Sequence, residues 1–285
     1  MFPRLSKAVK YIRKYAPGKM TYINLFPDYA TLGAKSQSQL ETDSYQEHLD
    51  RFVAEVGPGV LSYDNYMVQY SDDLEDSSHA ASYFHNLLSI RNTALHYGLP
   101  FWNIVSANQI RPWTTIPSPA NLSFQAYTSL AAGARGVTWY TYYARGYGYA
   151  PVGMDGERTQ TWYYLREVNR QLGVLGPVMN RMETTGVYFS QPAPVGELPG
   201  LPGKLVTELT GPVPLMLGEF RGHDGTDYVM VVNLSLERSA RVEISLRDPD
   251  RKFRVISSAD GRALEPDPEK DLWLVAGQGL LLKIL

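Results

Sequence analysis

The sequence predicts an α/β fold: a (β/α)4 half of a TIM barrel over residues 1–180, then an antiparallel β-sandwich over residues 184–285. Three observations predict it. Short apolar, β-prone runs alternate four times with helical periodicity, a repeat of about 40 residues that specifies a parallel sheet covered by helices. The four runs end in polar side chains, as barrel strands do where they pass into their βα loops. After Gly176-Pro177 the apolar period changes to two, with hairpin signals at Asp224-Gly225 and Asp260-Gly261. Eight repeats need about 250 residues. Only about 180 are available before the change of texture, so half a ring is expected.

Each element has a local reason. Leu5, Val9 and Ile12 recur at helical spacing over residues 2–15, and Ala16-Pro17-Gly18 ends that helix. Met20–Phe26 reads as the first strand, closing in Pro27-Asp28-Tyr29. Asp43-Ser44-Tyr45-Gln46 has capping-box spacing and opens a helix whose apolar face is Tyr45, Leu49, Phe52, Val53 and Val56. Val60, Leu61 and Tyr63 form the second strand, which runs at once into Asp64-Asn65-Tyr66. The acidic stretch Asp72–Asp76 reads as a solvated lead-in to a helix over 78–97, stopped by Gly98 and Pro100.

Phe101–Val105 is the third strand, leading into Ser106, Asn108 and Arg111. Ser118-Pro119 is an N-cap with proline at the first helical position, opening a helix to about Ala134. Gly136–Tyr143 is the fourth strand, and a long loop precedes a last helix over about 159–175. In the second part, 228–233, 241–246 and 280–285 are strands, and the Pro/Gly-rich 191–203 is a surface loop. The sequons at Asn121 and Asn233 are read as incidental.

Composition removes several function classes. The net charge is −2 with interleaved signs, which offers no basic face to nucleic acid or acidic lipid. No apolar run approaches the roughly 20 residues of a membrane span, and Met1–Lys7 lacks the apolar core of a signal peptide. The compartment stays open, cytoplasmic by default. The absence of cysteine excludes disulfides and thiolate metal sites. The five histidines are scattered, with none at i, i+4 beside a glutamate, so no metal or cofactor is expected. The 20 tyrosines and 5 tryptophans, most of them before residue 165, suit a site that stacks on flat apolar faces such as sugars, and equally a core.

The candidate site follows from the strand ends. Asp64 and Asp28 are the strand-end carboxylates, on neighbouring strands, and are the candidate catalytic pair. Asn24, Asn65, Asn103 and Asn108 are short amides suited to sugar hydroxyls, and also to turn capping. Tyr63, Tyr66, Trp113, Tyr140 and Tyr142 are candidate sugar platforms, and Arg111 adds positive charge at the mouth. Period-two alternation allows only about half of the strand residues to face inward. Trp139 and Tyr143 therefore face opposite to Tyr140 and Tyr142.

The residues Tyr22-Ile-Asn-Leu-Phe-Pro27, Val60-Leu-Ser-Tyr-Asp-Asn-Tyr66, Pro100-Phe-Trp-Asn103, the helix Gln125–Ala134 and Asp155-Gly-Glu-Arg-Thr159 carry a resemblance. Residues 2 to about 175 resemble the C-terminal half of a clan-A type glycoside hydrolase, a group that includes the family 42 β-galactosidases. The resemblance implies that the strands are the fifth to eighth of a barrel and that the ligand is a β-linked carbohydrate. It also implies an acid/base glutamate closing the fourth strand, ahead of Phe2, and a nucleophile glutamate closing the seventh. Here the matching strand, Phe101–Val105, runs into Ser106-Ala107-Asn108 without a carboxylate. Glycoside hydrolysis uses two carboxyl groups, about 5 Å apart for retention and further apart for inversion, which leaves Asp28 and Asp64. The alternative is a non-catalytic carbohydrate-binding or assembly protein on the same scaffold. A lone quartet of parallel strands leaves two unpaired rims, so a second quartet is expected to close the ring, supplied by a second chain as a homodimer or, with Met1 as an internal methionine, by strands upstream of it.

Overall fold

The structure is a computed structural model that describes residues 1–33, 38–70, 77–266 and 271–285. Four strands, β1 (Asn24–Leu25), β2 (Leu61–Asp64), β3 (Phe101–Ser106) and β4 (Gly136–Tyr140), form a parallel sheet in the order β1-β2-β3-β4. Around it run α1 (Phe2–Tyr15), α2 (Tyr45–Arg51), α3 (Ser77–His96), α4 (Pro119–Ala131) and α5 (Gln160–Met179). The acidic stretch Asp72–Asp76 lies outside the described residues.

Several expected signals sit one residue or one turn away from where they were read. The cap of α2 is Ser44, whose hydroxyl accepts the N–H of Glu47, while the Glu47 carboxylate accepts the N–H of Asp43. The capping pair is thus Ser44 and Glu47, because the acceptor must reach the third helical N–H. The helix then widens into a π-type turn over Phe52–Val56 and stops at Gly57, at φ 65°. At α4, Ser118 accepts the N–H of Asn121 as expected. α5 passes through Pro177 to Met179 instead of ending before it. Leu175 and Met179 are buried in the core beyond the proline, and Arg135 donates to the carbonyl of Met179. That packing offsets the one helical N–H that proline lacks. β1 pairs over two residues only, a short rim that offers few unpaired groups to another strand.

The second part is antiparallel. A six-stranded sheet has the order β11-β10-β13-β8-β7-β5, and a three-stranded sheet the order β12-β9-β6. The strands are β5 (Met182–Phe189), β6 (Val206–Thr210), β7 (Leu215–Gly222), β8 (Asp227–Asn233), β9 (Ala240–Leu246), β10 (Phe253–Ile256), β11 (Ala263–Leu264), β12 (Leu272–Leu274) and β13 (Gly279–Ile284). The hairpin turns fall at Gly225 and Gly261, both with positive φ, as Asp-Gly requires. Asn121 and Asn233 are buried, and Asn233 donates to the carbonyls of Arg238, Leu274 and Val275, so neither sequon is open to a glycan. The 191–203 loop is pinned rather than loose, with Val195 and Leu198 buried in the main core.

The large sheet is buried on both faces. Met216, Phe220, Met230, Val232 and Leu281 join the helical core, and Leu215, Leu217, Val229, Val231 and Leu282 pack toward the small sheet. This double burial explains the unbroken apolar run Val229–Val232. One core therefore runs from α1 (Phe2, Val9) through α3 and α4 to the large sheet. At its centre Phe84 meets Phe124 and Phe189 edge-on, with ring centroids 6.1 and 5.3 Å away. Backbone meets backbone beside it: a Cβ at Gly218 of β7 would lie 2.1 Å from the carbonyl oxygen of Ala131 in α4, and one at Gly277 2.1 Å from that of Ala120.

Gly218→Ala must push α4 off the sheet, a cost of about 2–3 kcal/mol by overpacking. Urea denaturation followed by far-ultraviolet circular dichroism and by tryptophan fluorescence checks this. The expected result is a lower midpoint with both probes in one transition, because the core is shared. An unchanged midpoint contradicts the close approach.

Candidate functional site

Parallel pairing puts Asn24, Ser62, Trp102 and Gly136 in one row across the sheet, and Asp64, Ile104 and Thr138 in the next row on the same face. The row between them, Leu25, Tyr63, Asn103 and Val137, points the other way, toward the helices. A Cβ at Gly136 would sit 2.9 Å from the indole of Trp102, so glycine there lets the ring lie flat over β4. Tyr22 packs on Trp102 at 5.8 Å between ring centroids.

Along the open face runs a chain of hydrogen bonds. The hydroxyls of Tyr22 and Ser62 are 2.8 Å apart, Ser62 donates to Asn24 Oδ1 at 3.0 Å, and Asn24 Nδ2 donates to Asp64 Oδ1 at 2.7 Å. The Tyr66 hydroxyl is a further hydrogen-bond partner of Asp64. Tyr66 stacks on Tyr140 at 5.6 Å and 27°, and Tyr140 meets Tyr147 edge-on at 5.7 Å, its hydroxyl 3.1 Å from that of Tyr147. Asn24, Asp64, Tyr66, Ile110, Tyr140 and Tyr147 line a cleft of about 470 Å³ at the carboxyl ends of the strands.

Burial raises the pKa of the Asp64 carboxyl, and the hydrogen bonds from Asn24 and Tyr66 oppose that shift. Burial and the Asp64 charge together push the Tyr66 phenol well above its ordinary value. Asp28 follows β1 and is held from α3: Ser82 donates to its Oδ1 at 2.8 Å, and its own N–H donates to Asn86 Oδ1. Burial raises its carboxyl to about 6, against the lowering effect of the Ser82 hydrogen bond and the His85 charge. Both carboxyl charges, after burial itself, raise the phenols of Tyr29 and Tyr45, so one polar neighbourhood holds them all.

Of the expected site residues, Asn24, Asp64, Tyr66 and Tyr140 come together in the cleft, and Asp28 stands behind it at Ser82. Tyr63 and Asn103 fall on the helix-facing row. Tyr63 is fully buried in the core, and Asn103 donates to Ser129 of α4. Asn65 is a brace, donating to Asn86 Oδ1 while accepting the N–H of Met67. Asn108 is also buried, with its Oδ1 bonded to the Ser106 hydroxyl. Arg111 and Trp113 are exposed on the β3–α4 loop, away from the cleft lining, and Trp113 is 77% accessible. Tyr142 turns outward and accepts from the indole of Trp162 on α5.

Sequence reasoning missed Tyr147, Ile110 and the residues that place them. Gln69, buried, donates to the carbonyl of Asn108 and accepts the N–H of Ile110, which fixes the loop after β3. Gln109 then pairs with Gly148, drawing the loop after β4 over the cleft with Tyr147 on it. Glutamine carries no local signal for such a role. Among the described residues, no group of three or more His, Cys, Asp or Glu is gathered to hold a metal.

The raised Asp28 pKa has a defined sign. The folded chain keeps this proton to about pH 6 whereas the unfolded chain releases it near 3.8, so the contribution of Asp28 is most favourable below about pH 4 and is lost as pH rises through 6. Asp28→Asn removes that loss. Urea denaturation of both proteins from pH 4 to pH 8 should show the variant gaining on the parent as pH rises; a constant difference contradicts the buried acid.

No family model matches the sequence, nor does any curated protein. Among solved structures the chain is similar to the β-galactosidase of the psychrophilic Marinomonas ef1, at 14% identity and a TM-score of 0.45, over 63% of this chain and 27% of that one. It is similar to the GH51 arabinofuranosidase of Xanthomonas axonopodis pv. citri at 13% identity and 0.42, over 99% and 63%. The pullulanase of Bacillus acidopullulyticus matches at 11% identity and 0.46, over 99% and 36%. The chain spans less than two thirds of the length of each of these glycoside hydrolases.

Proposed function

We propose that the cleft at the ends of β1, β2 and β4 is a carbohydrate site, and that the chain is a glycoside hydrolase-like protein acting on or binding a β-linked sugar. One observation carries the reading: the stacked Tyr66–Tyr140 pair faces the same cavity as the hydrogen-bonded Asn24–Asp64 pair. A pyranose presents one apolar C–H face and a rim of hydroxyls. Phenol rings suit the first, and an amide with a carboxylate suits the second. Tyr147 closes one side, and Phe26 adds apolar lining.

For hydrolysis the two acids divide the work. Asp64, supported by Asn24 and Tyr66, is the carboxylate that attacks the anomeric carbon or orients water, and Asp28 keeps a proton to about pH 6 for the departing oxygen. One observation favours the non-catalytic alternative: Asp28 is turned to Ser82 and is not part of the cleft lining.

A panel of neutral aryl β-glycosides and β-glucan oligosaccharides separates the two. Tyr140→Ala is expected to weaken oligosaccharide binding about tenfold or more in calorimetry in either case. If the chain is an enzyme, Asp64→Asn lowers kcat on the neutral glycosides at least about a hundredfold with little change in KM. If no glycoside is turned over but binding persists, the binding protein remains. No binding of any member ends the carbohydrate reading.

We further propose that a second copy completes the parallel sheet into a ring. Among the described residues, β1 and β4 each have one unpaired rim, with Met20, Tyr22 and Phe26 exposed near the first and Tyr140 and Tyr143 near the second. Light scattering at micromolar concentration is expected to give twice the chain mass of 32.0 kDa. A monodisperse monomer removes this closure.

A further inference from the structure

Several acids among the described residues are held by guanidinium groups or by backbone amides. Asp227 is clamped by Arg221 and Arg251 at 2.5 and 2.8 Å, Glu167 by Arg170 at 2.6 Å, Glu55 by Arg51 at 2.8 Å and Glu183 by Arg135 at 3.1 Å. Glu219, fully buried, accepts three backbone N–H groups, from Lys204, Leu205 and Val206. Asp64 and Asp28 take part in no ion pair among the described residues. Asp64 has the neutral donors Asn24 and Tyr66 and a backbone N–H, and Asp28 has Ser82 and backbone N–H groups, with the charge of His85 further off. Arg145, on the loop after β4, is the cation whose charge reaches Tyr140, and it is solvent-exposed.

A desolvated carboxylate without a counter-charge is costly, and a cation brought by a ligand removes that cost. The rings next to it add to the preference. Tyr66, Tyr140 and Tyr147 crowd one side of the Asp64 cleft, and the π faces of phenols attract cations most strongly where water is excluded. A carboxylate that shares with a cluster of phenol rings a cleft wide enough for a sugar ring, and lacking a lysine or arginine in its lining, is matched to a polyol that carries a positive charge.

We propose that the cleft takes an amino sugar with a free, protonated amine, its ammonium held between Asp64 and the Tyr66–Tyr140 pair. This rests on the carbohydrate reading and narrows it. Neutral sugars meet the same stacking surface but leave Asp64 uncompensated. N-acetylation removes the charge and adds a methyl amide for which the cleft supplies no added donor.

Calorimetry on the full chain tests it at about pH 6, because the amine of a glucosamine unit, flanked by electron-withdrawing C–O groups, is more acidic than an ordinary amine and needs the lower pH to keep its proton. The probes are a β-1,4-linked glucosamine tetrasaccharide, its fully N-acetylated counterpart, cellotetraose and tetramethylammonium. The free-amine sugar is expected to bind at least about tenfold tighter than either neutral sugar, and in Asp64→Asn the ratio of its affinity to that of cellotetraose is expected to fall to about one. Equal affinity for all three sugars overturns the charge preference and leaves the carbohydrate reading standing. Retention of the preference in Asp64→Asn overturns the assignment to Asp64. Tetramethylammonium binding as tightly as the amino sugar shows that the sugar ring is not recognised and overturns the proposal. Failure of every probe to bind removes the carbohydrate reading and the inference with it.

Discussion

The register of the parallel sheet is the constraint on which the cleft depends. Because side chains alternate faces, one choice of register sends Asn24, Ser62, Asp64 and Trp102 to the open side and Leu25, Tyr63 and Asn103 to the helices. A slip of one residue at β2 would turn Asp64 toward the apolar core and turn Leu61 and Tyr63 out of it. The apolar row therefore fixes where the polar row points. The hydrogen bonds from Ser62 to Asn24 and from Asn24 to Asp64 follow from that choice, since Ser62 and Asn24 share a row and Asp64 stands in the next row on the same face.

What holds the register is the packing behind the sheet. α4 lies between β3 and the large antiparallel sheet, and its side chains serve both. Asn103 of β3 reaches Ser129, Gln125 bonds both the N–H and the carbonyl of Ser106, and Phe124 and Tyr127 sit in the shared core. Gly218 and Gly277 let the antiparallel part approach the helix backbone directly. The second part of the chain thus acts as a back plate. It buries the outer face of α4, and through α4 it steadies β3 and the loop that carries Ile110. A close-packed interior transmits such restraint because it compresses little.

The elements were legible in the sequence wherever one local signal decided them. Ser118-Pro119, Gly98 and the two Asp-Gly turns act within four residues, and each ends or starts an element where expected. The misses have a common cause, which is contact between residues far apart in the chain. Pro177 reads as a stop, but Arg135 and the buried Met179 carry α5 beyond it. Met20–Phe26 reads as a full strand, yet only Asn24 and Leu25 find partners. Tyr63 and Asn103 have the right chemistry at the wrong parity, a distinction that needs the register as well as the composition. Gln69 reaches across about 40 residues to fix a loop, and nothing in its neighbours announces it. Tyr147 sits in a long polar loop, and the pairing of Gln109 with Gly148, with the contact to Tyr140, brings it to the cleft.

The same fold supplies its own measure of which acids are structural. Glu219 is deeper than either cleft acid and yet fully satisfied by three amide donors, and Asp227 binds two guanidinium groups at a strand end. Both show that this chain can neutralise or solvate a carboxylate with protein groups where the fold alone requires it. At the strand ends of β1 and β2 it does not. There burial raises two carboxyls, and the donors, an amide, a phenol, a serine hydroxyl and backbone N–H groups, do not reverse that shift and bring no counter-charge. A fold selected for stability alone has simpler residues available at both positions, since an asparagine would keep the hydrogen bonds without the charge. A partly buried acid left without a counter-charge in a cleft, in a molecule that neutralises or fully solvates its buried Glu219 and Asp227, marks the place where a ligand supplies what the protein withholds.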